Sequence, residues 1–343
     1  MNYHTIIIGG GQAGLAAAYY LSKQNKNYVV LEAADTIGHS WKVRYDSLKL
    51  FTSARYNNLP GLEFPGAKNR FPHKDEVVSY LQNYVNRFQI QLKINEKVIS
   101  LSKKDQLFQV RTENNSYTSE NVIVSTGPFQ EALIPAFIKN IDADIHQMHS
   151  STYRNSTQLQ AGDTLVVGGG NSGVQIVEEL VNEGRNVYFS FRGKMKRMPN
   201  NMFMQRLVFG SGITSAAVHS LVGGLLKKRG EPVMGTNIKK LFREPNLTLV
   251  GRTIGADTKE IMCEEGMLLN IRNIIWATGF NPDFRWMAFD IFDEKGYPVQ
   301  QRGVTSVSGL YFLGLAWMHS RNSGLLGGIK EDAEYITDKI AKN

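Results

Sequence analysis

The stretch Thr5-Ile6-Ile7-Ile8-Gly9-Gly10-Gly11-Gln12-Ala13-Gly14-Leu15-Ala16-Ala17-Ala18 constrains the fold more than any other, because an apolar strand runs through spaced glycines into an Ala-rich helix. Gly9 permits a tight turn, Gly11 lets the backbone approach a pyrophosphate, and Gly14 lets the helix pack close to the strand. The free N–H groups around Gln12 and Ala13 then face the phosphates. The pattern returns 159 residues later in Thr164-Leu165-Val166-Val167-Gly168-Gly169-Gly170-Asn171-Ser172-Gly173-Val174. A chain carrying it twice is predicted to be an α/β protein with two Rossmann-like dinucleotide-binding domains.

The two copies differ just past the second strand of each unit. Tyr28-Val29-Val30-Leu31 ends at Glu32, eighteen positions after Gly14, with Ala33 beside it. A carboxylate at that spacing accepts hydrogen bonds from a ribose. In the second unit Asn186 to Phe191 reads as a strand ending at Arg192, nineteen positions after Gly173, and Lys194, Lys196 and Arg197 follow. A guanidinium there suits a 2′-phosphate where a carboxylate suits free hydroxyls. FAD is therefore expected in the first site and NADPH in the second, with NADH left open. A charge-assisted hydrogen bond from Arg192 of about 1.5–3 kcal/mol predicts a preference for NADPH of roughly 10- to 100-fold.

Each unit is expected to close with a buried strand ending in Thr-Gly, at Thr126-Gly127 and at Thr278-Gly279. Trp41, shortly past Glu32, is placed near the cofactor. A return strand over Gly309 to Gly314 leads to Ser323, Gly324 and Leu325, which are expected to open the last helix and to hold the pyrimidine end of a flavin at its N-terminus. These landmarks divide the chain into an FAD domain, 1–160 and 282–343, and an inserted NAD(P)H domain, 161–281. The inserted domain carries a Met-rich helical insertion over about 200–230. His73 to Phe88 reads as a packing helix. Short strands are expected at Val98 to Leu101, Phe108 to Thr112, Ser116 to Thr118, Leu247 to Val250, Glu260 to Cys263 and Met267 to Leu269.

Bulk properties narrow the setting. Met1-Asn2-Tyr3-His4 leads straight into the first strand, so no cleaved signal peptide is expected. The most apolar run, Gly210 to Leu226, is broken by polar residues and argues against a spanning helix. The lone cysteine, Cys263, excludes an intrachain disulfide or dithiol pair and fits a cytoplasmic protein. The net charge of +8 is concentrated between Arg185 and Arg243, where twelve Lys or Arg face only Glu231 and the adjoining Glu244. A phosphate-bearing cofactor accounts for that field more economically than nucleic acid.

Gly9-x-Gly11-x-x-Gly14, Gly38-x-x-Trp41, Gly168-x-Gly170-x-x-Gly173 and Ala277-Thr278-Gly279-Phe280 together resemble the flavin-containing monooxygenases. The short bacterial members and the plant indole-pyruvate monooxygenases are closest in pattern. The resemblance implies a pyridine nucleotide-disulfide reductase-like architecture. The family's motif Phe-x-Gly-x-x-x-His-x-x-x-(Tyr or Phe) is matched in its second half by His149 and Tyr153, while Ala143 and Ile145 stand at the Phe and Gly positions. Asn58-Leu59-Pro60 resembles an Asn-x-Pro turn whose Asn lies by the flavin, which makes Asn58 the candidate catalytic residue. The activity implied is reduction of FAD by NADPH, addition of dioxygen at the flavin C4a carbon, and oxygen transfer to a small sulfur- or nitrogen-containing or carbonyl substrate. An NAD(P)H-dependent flavin reductase serving an external acceptor is the alternative, and a homodimer stays open on the sequence.

Overall fold

The computed structural model describes residues 1–198, 201–264, 266–268 and 270–342. Its first sheet has five parallel strands in the spatial order Leu92–Lys93, Tyr28–Leu31, Asn2–Ile8, Ser116–Val124 and Leu310–Phe312. Apolar runs such as Ile6-Ile7-Ile8 and Val122-Ile123-Val124 lie at the centre because a parallel strand is covered on both faces. One face takes the helix Gln12–Lys23, against which the last helix, Ile329–Lys342, packs through Ile329, Ala333, Ile336 and Ile340. Ser116–Val124 is one long strand where two short ones were expected. Its first half continues as an antiparallel meander with Leu107–Thr112 and Val98–Lys104.

The second sheet repeats this plan. Leu247–Val250, Val187–Ser190, Asp163–Val167, Ile271–Trp276 and His146–His149 are again parallel and in that order. A small antiparallel sheet of Thr253–Asp257, Glu260–Cys263 and Gly266–Leu268 takes the place of the first meander; Leu269, expected at its end, lies outside the described residues. The domain boundary expected at 160 is corrected by the pairing of His146–His149 with Ile271–Trp276. Ile141, Ile145, Tyr153 and Leu159 also bury themselves in the second domain's cores. The chain leaves the first domain just after Gly127. It returns near 281, where Phe280–Asn281 pairs with Glu131–Ala132 in a two-stranded ribbon.

The insertion is less continuous than its Met-rich sequence suggests. It consists of a short helix Met202–Gln205, a wide turn Arg206–Gly210, a 3₁₀ turn Ile213–Ser215 and the helix Leu221–Arg229. Residues 199 and 200, at its expected start, lie outside the described residues, as do 265 and 343. Among the described residues no helix is long and apolar enough to cross a membrane.

Candidate dinucleotide sites

Both glycine turns obey the same steric demands. Gly9 has φ +107° and Gly168 has φ +122°, and a Cβ on either would meet a carbonyl oxygen at 2.7 Å (Ser125) or 2.1 Å (Ala277). An added Cβ at Gly14 would lie 2.0 Å from the Gly9 oxygen, and one at Gly173 would lie 1.9 Å from the Gly168 oxygen. Only glycine allows the strand, turn and helix to close this tightly. Gly11 and Gly170 differ from these: nothing lies within 4 Å of where their Cβ atoms would be. Each is the N-cap of its helix without a capping side chain, and neither helix has an acid in its first turn. Uncapped N–H groups facing open space suit a pyrophosphate.

Glu32 follows the second strand and accepts hydrogen bonds from Gly10 N at 2.6 Å and Ala34 N at 2.9 Å. These tie the acid to the glycine turn and leave further lone pairs for a ribose. Trp41 donates its indole N–H to Gln12 Oε1 at 3.2 Å, which pins it beside the helix N-terminus. Ala13 is buried where Gly314 of the return strand approaches it, and Ala33 is exposed.

The second cradle is positioned partly by the first domain. Gln175 accepts from the Tyr45 hydroxyl at 3.2 Å and donates to Lys49 O at 3.0 Å. Asn171 accepts from Met234 N at 2.9 Å, and Ser172 faces Tyr45, whose hydroxyl burial pushes up to about 12. The equivalence expected between Glu32 and Arg192 needs correction by one residue. Gly9 N bonds to Leu31 O and Gly168 N bonds to Ser190 O, so the residue matching Glu32 is Phe191. The side chains confirm this register: a Cβ on Gly10 would meet Glu32, and one on Gly169 would meet Phe191 at 2.8 Å. Arg192 stands in the place of Ala33. Arg192 and Lys194 are exposed and make no hydrogen bond or ion pair among the described residues.

The two Thr-Gly turns are linked. Gly127 (φ +75°) and Gly279 (φ +92°) both face open space. Gln130 donates to Thr126 Oγ1 and Gly127 O, each at 2.8 Å, and accepts from Asp283 N in the return segment. Thr278 donates to the Leu133 carbonyl, and Leu133 N donates to Gly279 O at 2.9 Å. His149 meets the same Gly279 oxygen through Nε2 at 3.0 Å while its Nδ1 accepts from Ser151 N at 3.1 Å. That second bond assigns the proton to Nε2. Burial lowers the imidazole from its ordinary value, the bond to Gly279 opposes this, and Arg44 adds to the lowering. Tyr153 is fully buried and donates to Glu179 of the second helix at 2.8 Å, and Ser47 donates to the same carboxylate. Burial raises Glu179, with these two donors opposing. His149 and Tyr153 thus hold the connector to the second cradle.

A cavity of about 160 Å³ brings Asn58 together with Leu325, Asn322, Tyr56 and Phe209 of the insertion. Asn58 is set by its own loop, donating to Arg55 O at 3.2 Å and accepting from Phe64 N at 2.8 Å, with amide capacity left for a ligand. The loop backbone presses on Gly327, where a Cβ would lie 1.9 Å from Tyr56 O. Ser323, Gly324 and Leu325 do not open the last helix as expected. Arg321–Gly324 is a separate 3₁₀ turn capped by Ser320, and the helix begins at Ile329. The Ser323 hydroxyl accepts from His319 N and Ser320 N, both at 3.1 Å, so it shapes that turn. Gln130 and Arg44 escaped the sequence reading, since nothing in a lone polar residue after a loop marks it as lying between two cradles.

The sequence pattern of the pyridine nucleotide-disulphide oxidoreductases matches residues 6–208. The uncharacterized oxidoreductase CzcO of Bacillus subtilis is 41% identical over 343 residues, covering 98% of this chain and 99% of its own. A probable indole-3-pyruvate monooxygenase of Arabidopsis thaliana, YUCCA3, is 28% identical over 98% of this chain and 86% of its own. The flavin-containing monooxygenase of Stenotrophomonas maltophilia superposes with a TM-score of 0.83 at 23% identity, covering 99% of this chain and 98% of that one. By the family pattern and by the oxidoreductase that matches it end to end, the chain belongs to the pyridine nucleotide-disulphide oxidoreductase family, and its flavin-containing monooxygenase likeness extends from motifs to the whole fold.

Proposed function

We propose that the protein is an FAD- and NADPH-dependent monooxygenase that passes one oxygen atom of O2 to a small substrate presenting sulfur, nitrogen or a carbonyl carbon. The observation that carries this reading is the pairing of two complete cradles with a single cysteine in the chain. Cys263 is buried in the middle strand of the small antiparallel sheet, Glu260–Cys263, and with no second thiol in the chain the electrons received by the flavin have no intrachain disulfide to reduce. The flavin supplies electron transfer and oxygen activation when bound. The chain's own residues bind, orient and exclude water. Gly11 and the helix Gln12–Lys23 receive the pyrophosphate of FAD, and Glu32 receives its ribose. Gly170 and the helix Asn171–Asn182 receive NADPH, with Arg192 and Lys194 as the free cations nearest the strand end. Asn58 presents an amide to the cavity that it shares with Phe209. Phe209 and Tyr56, with ring centroids 5.6 Å apart, form an apolar wall on that side.

The test is to reduce FAD-loaded protein with NADPH under argon, admit oxygen, and assay a thioether for sulfoxide. Sulfoxide formed in proportion to NADPH consumed is the expected result. Full reoxidation with peroxide alone, and rapid turnover with a quinone or dye instead, would sink the reading in favour of a reductase serving an external acceptor.

A further inference from the structure

Arg44 is a cation without a counter-anion, held between the two nucleotide units. It follows the short helix His39–Lys42 that carries Trp41. Its guanidinium lies 5.4 Å from the ring centre of Phe129 and 5.0 Å from that of Phe280, and these two rings meet edge to face at 5.4 Å. Phe129 follows the first Thr-Gly turn by two residues and Phe280 follows the second directly, so the arginine bridges both turns. Its neighbour Tyr45 reaches Gln175 and faces Ser172 in the opening turns of the second helix.

The guanidinium is half-buried, yet only Nε has an acceptor, Ser40 O at 3.2 Å. Among the described residues it forms no ion pair, and no carboxylate contributes to its electrostatic surroundings. Burial, with Arg154 adding to it, disfavours its charge, while Tyr45 opposes them. Aromatic faces offset part of that cost. A half-buried cation is nevertheless normally matched by an anion, and none of the described residues provides one.

We infer that Arg44 supplies, from the first domain, the cation that clamps the pyrophosphate of the nicotinamide dinucleotide in the second cradle. The clamp rests on the dinucleotide reading above. Four N–H donors remain on its planar fork, which matches phosphate oxygens in pairs. The helix Asn171–Asn182 starts at Gly170 without a capping side chain, so its first backbone N–H groups are available to the same anion. A pyrophosphate held at the Gly170 turn would thus supply the counter-anion that no described residue gives Arg44.

The test titrates FAD-loaded wild type, R44Q, R44K and R192A with NADP⁺ and with NAD⁺ by calorimetry in the oxidised state. R44Q keeps the stem between the two rings and loses the charge. It should weaken both dinucleotides by the same factor, about 10- to 100-fold, because the pyrophosphate is common to both. R44K should lose about 3- to 10-fold, and R192A should weaken NADP⁺ alone. Unchanged affinities in R44Q beside tight wild-type binding overturn the clamp and leave the dinucleotide reading standing. A loss confined to NADP⁺ reassigns Arg44 to the 2′-phosphate and overturns the pyrophosphate assignment. Absence of NADP⁺ binding by the wild type overturns both. FAD content should stay at the wild-type level in R44Q. If that variant folds poorly, R44K carries the test, and its wild-type affinity would overturn the clamp.

Discussion

The helix Gln12–Lys23 and the helix Asn171–Asn182 start from the same glycine geometry and then meet opposite surroundings. The first is covered on nearly every side, with Ala13, Leu15, Ala16, Ala17, Ala18 and Leu21 buried between its sheet and the last helix. Small side chains suit a helix squeezed by two neighbours. The second buries a stripe of Val174, Ile176, Val177, Leu180 and Val181 and uses its other face for polar stitching by Gln175 and Glu179. One cradle is built into a core, while the other is docked by hydrogen bonds that can be exchanged. That difference fits a permanent cofactor in the first and an exchanging one in the second.

Filling the close approach in each unit separates the two cradles most strongly. Gly14→Ala and Gly173→Ala create the same clash, costing about 1–3 kcal/mol or more where the backbone cannot yield. Gly14→Ala, inside the larger core, should give protein with little FAD, read from flavin absorbance per protein. Gly173→Ala should keep FAD and lose at least about 100-fold in flavin reduction by NADPH, a loss of about 2.7 kcal/mol or more. Equal FAD loss in both variants would contradict the assignment of seats.

Arg192→Ala is the next effect in size. It should lower affinity for NADPH by about 10- to 100-fold and leave NADH unchanged. An unchanged ratio would mean that Arg192, one residue past the Glu32 position, does not reach the 2′-phosphate, and Lys194 would be the cation to replace next.

His149 tests the link to Gly279 through pH. Its folded pKa is depressed by burial, so the neutral form is favoured in the native state. The stability it contributes is therefore full above its ordinary value of about 6.5 and is lost as pH falls through the lower folded value. His149→Asn should cost about 1 kcal/mol near pH 8, and its unfolding midpoint should fall less steeply than wild type's between about pH 6.5 and 5.5. Parallel pH profiles would contradict the neutral Nε2–H donor. Tyr153→Phe has an equally small expected effect. Glu179 loses one of two donors while Ser47 remains, which should lower stability by about 1 kcal/mol in a denaturant titration.

The glycine turns were legible because their requirement falls on residue type alone: a positive φ or a contact near 2 Å admits no other side chain. The repeated strand, glycine turn and helix, and the strand that closes each unit, followed from those turns and from apolar runs such as Val122-Ile123-Val124. Three features were not legible. The offset between Phe191 and Arg192 depends on where Val187–Ser190 stops, and a strand's last residue leaves no mark in composition. His146-Gln147-Met148-His149 does not read as a strand because it lies at a sheet edge, partly exposed, and needs no apolar run. The insertion's turns, set by Gly210 and Gly212 and by the cap at Ser220, interrupt what its Met and Leu residues suggest is continuous helix. At the candidate site Asn58 could be proposed from a short turn motif. Its companions Phe209 and Asn322 come from distant segments, and only the folded chain brings them together.

The ribbon of Glu131–Ala132 and Phe280–Asn281 has a mechanical consequence. The backbone passes between the domains at this one double strand, so twisting about it would leave every strand of both parallel sheets paired. Away from that axis the domains meet through polar contacts, Ser47 to Glu179, Gln205 to the Phe51 carbonyl and Arg321 to Glu231, and through apolar ones, Tyr45 in the second domain's core and Tyr56 against Phe209. The polar contacts re-form with water at modest cost, whereas the apolar ones lose their burial when the domains part. The molecule has the construction of a door, with a paired ribbon along one edge and mixed polar and apolar latches along the other.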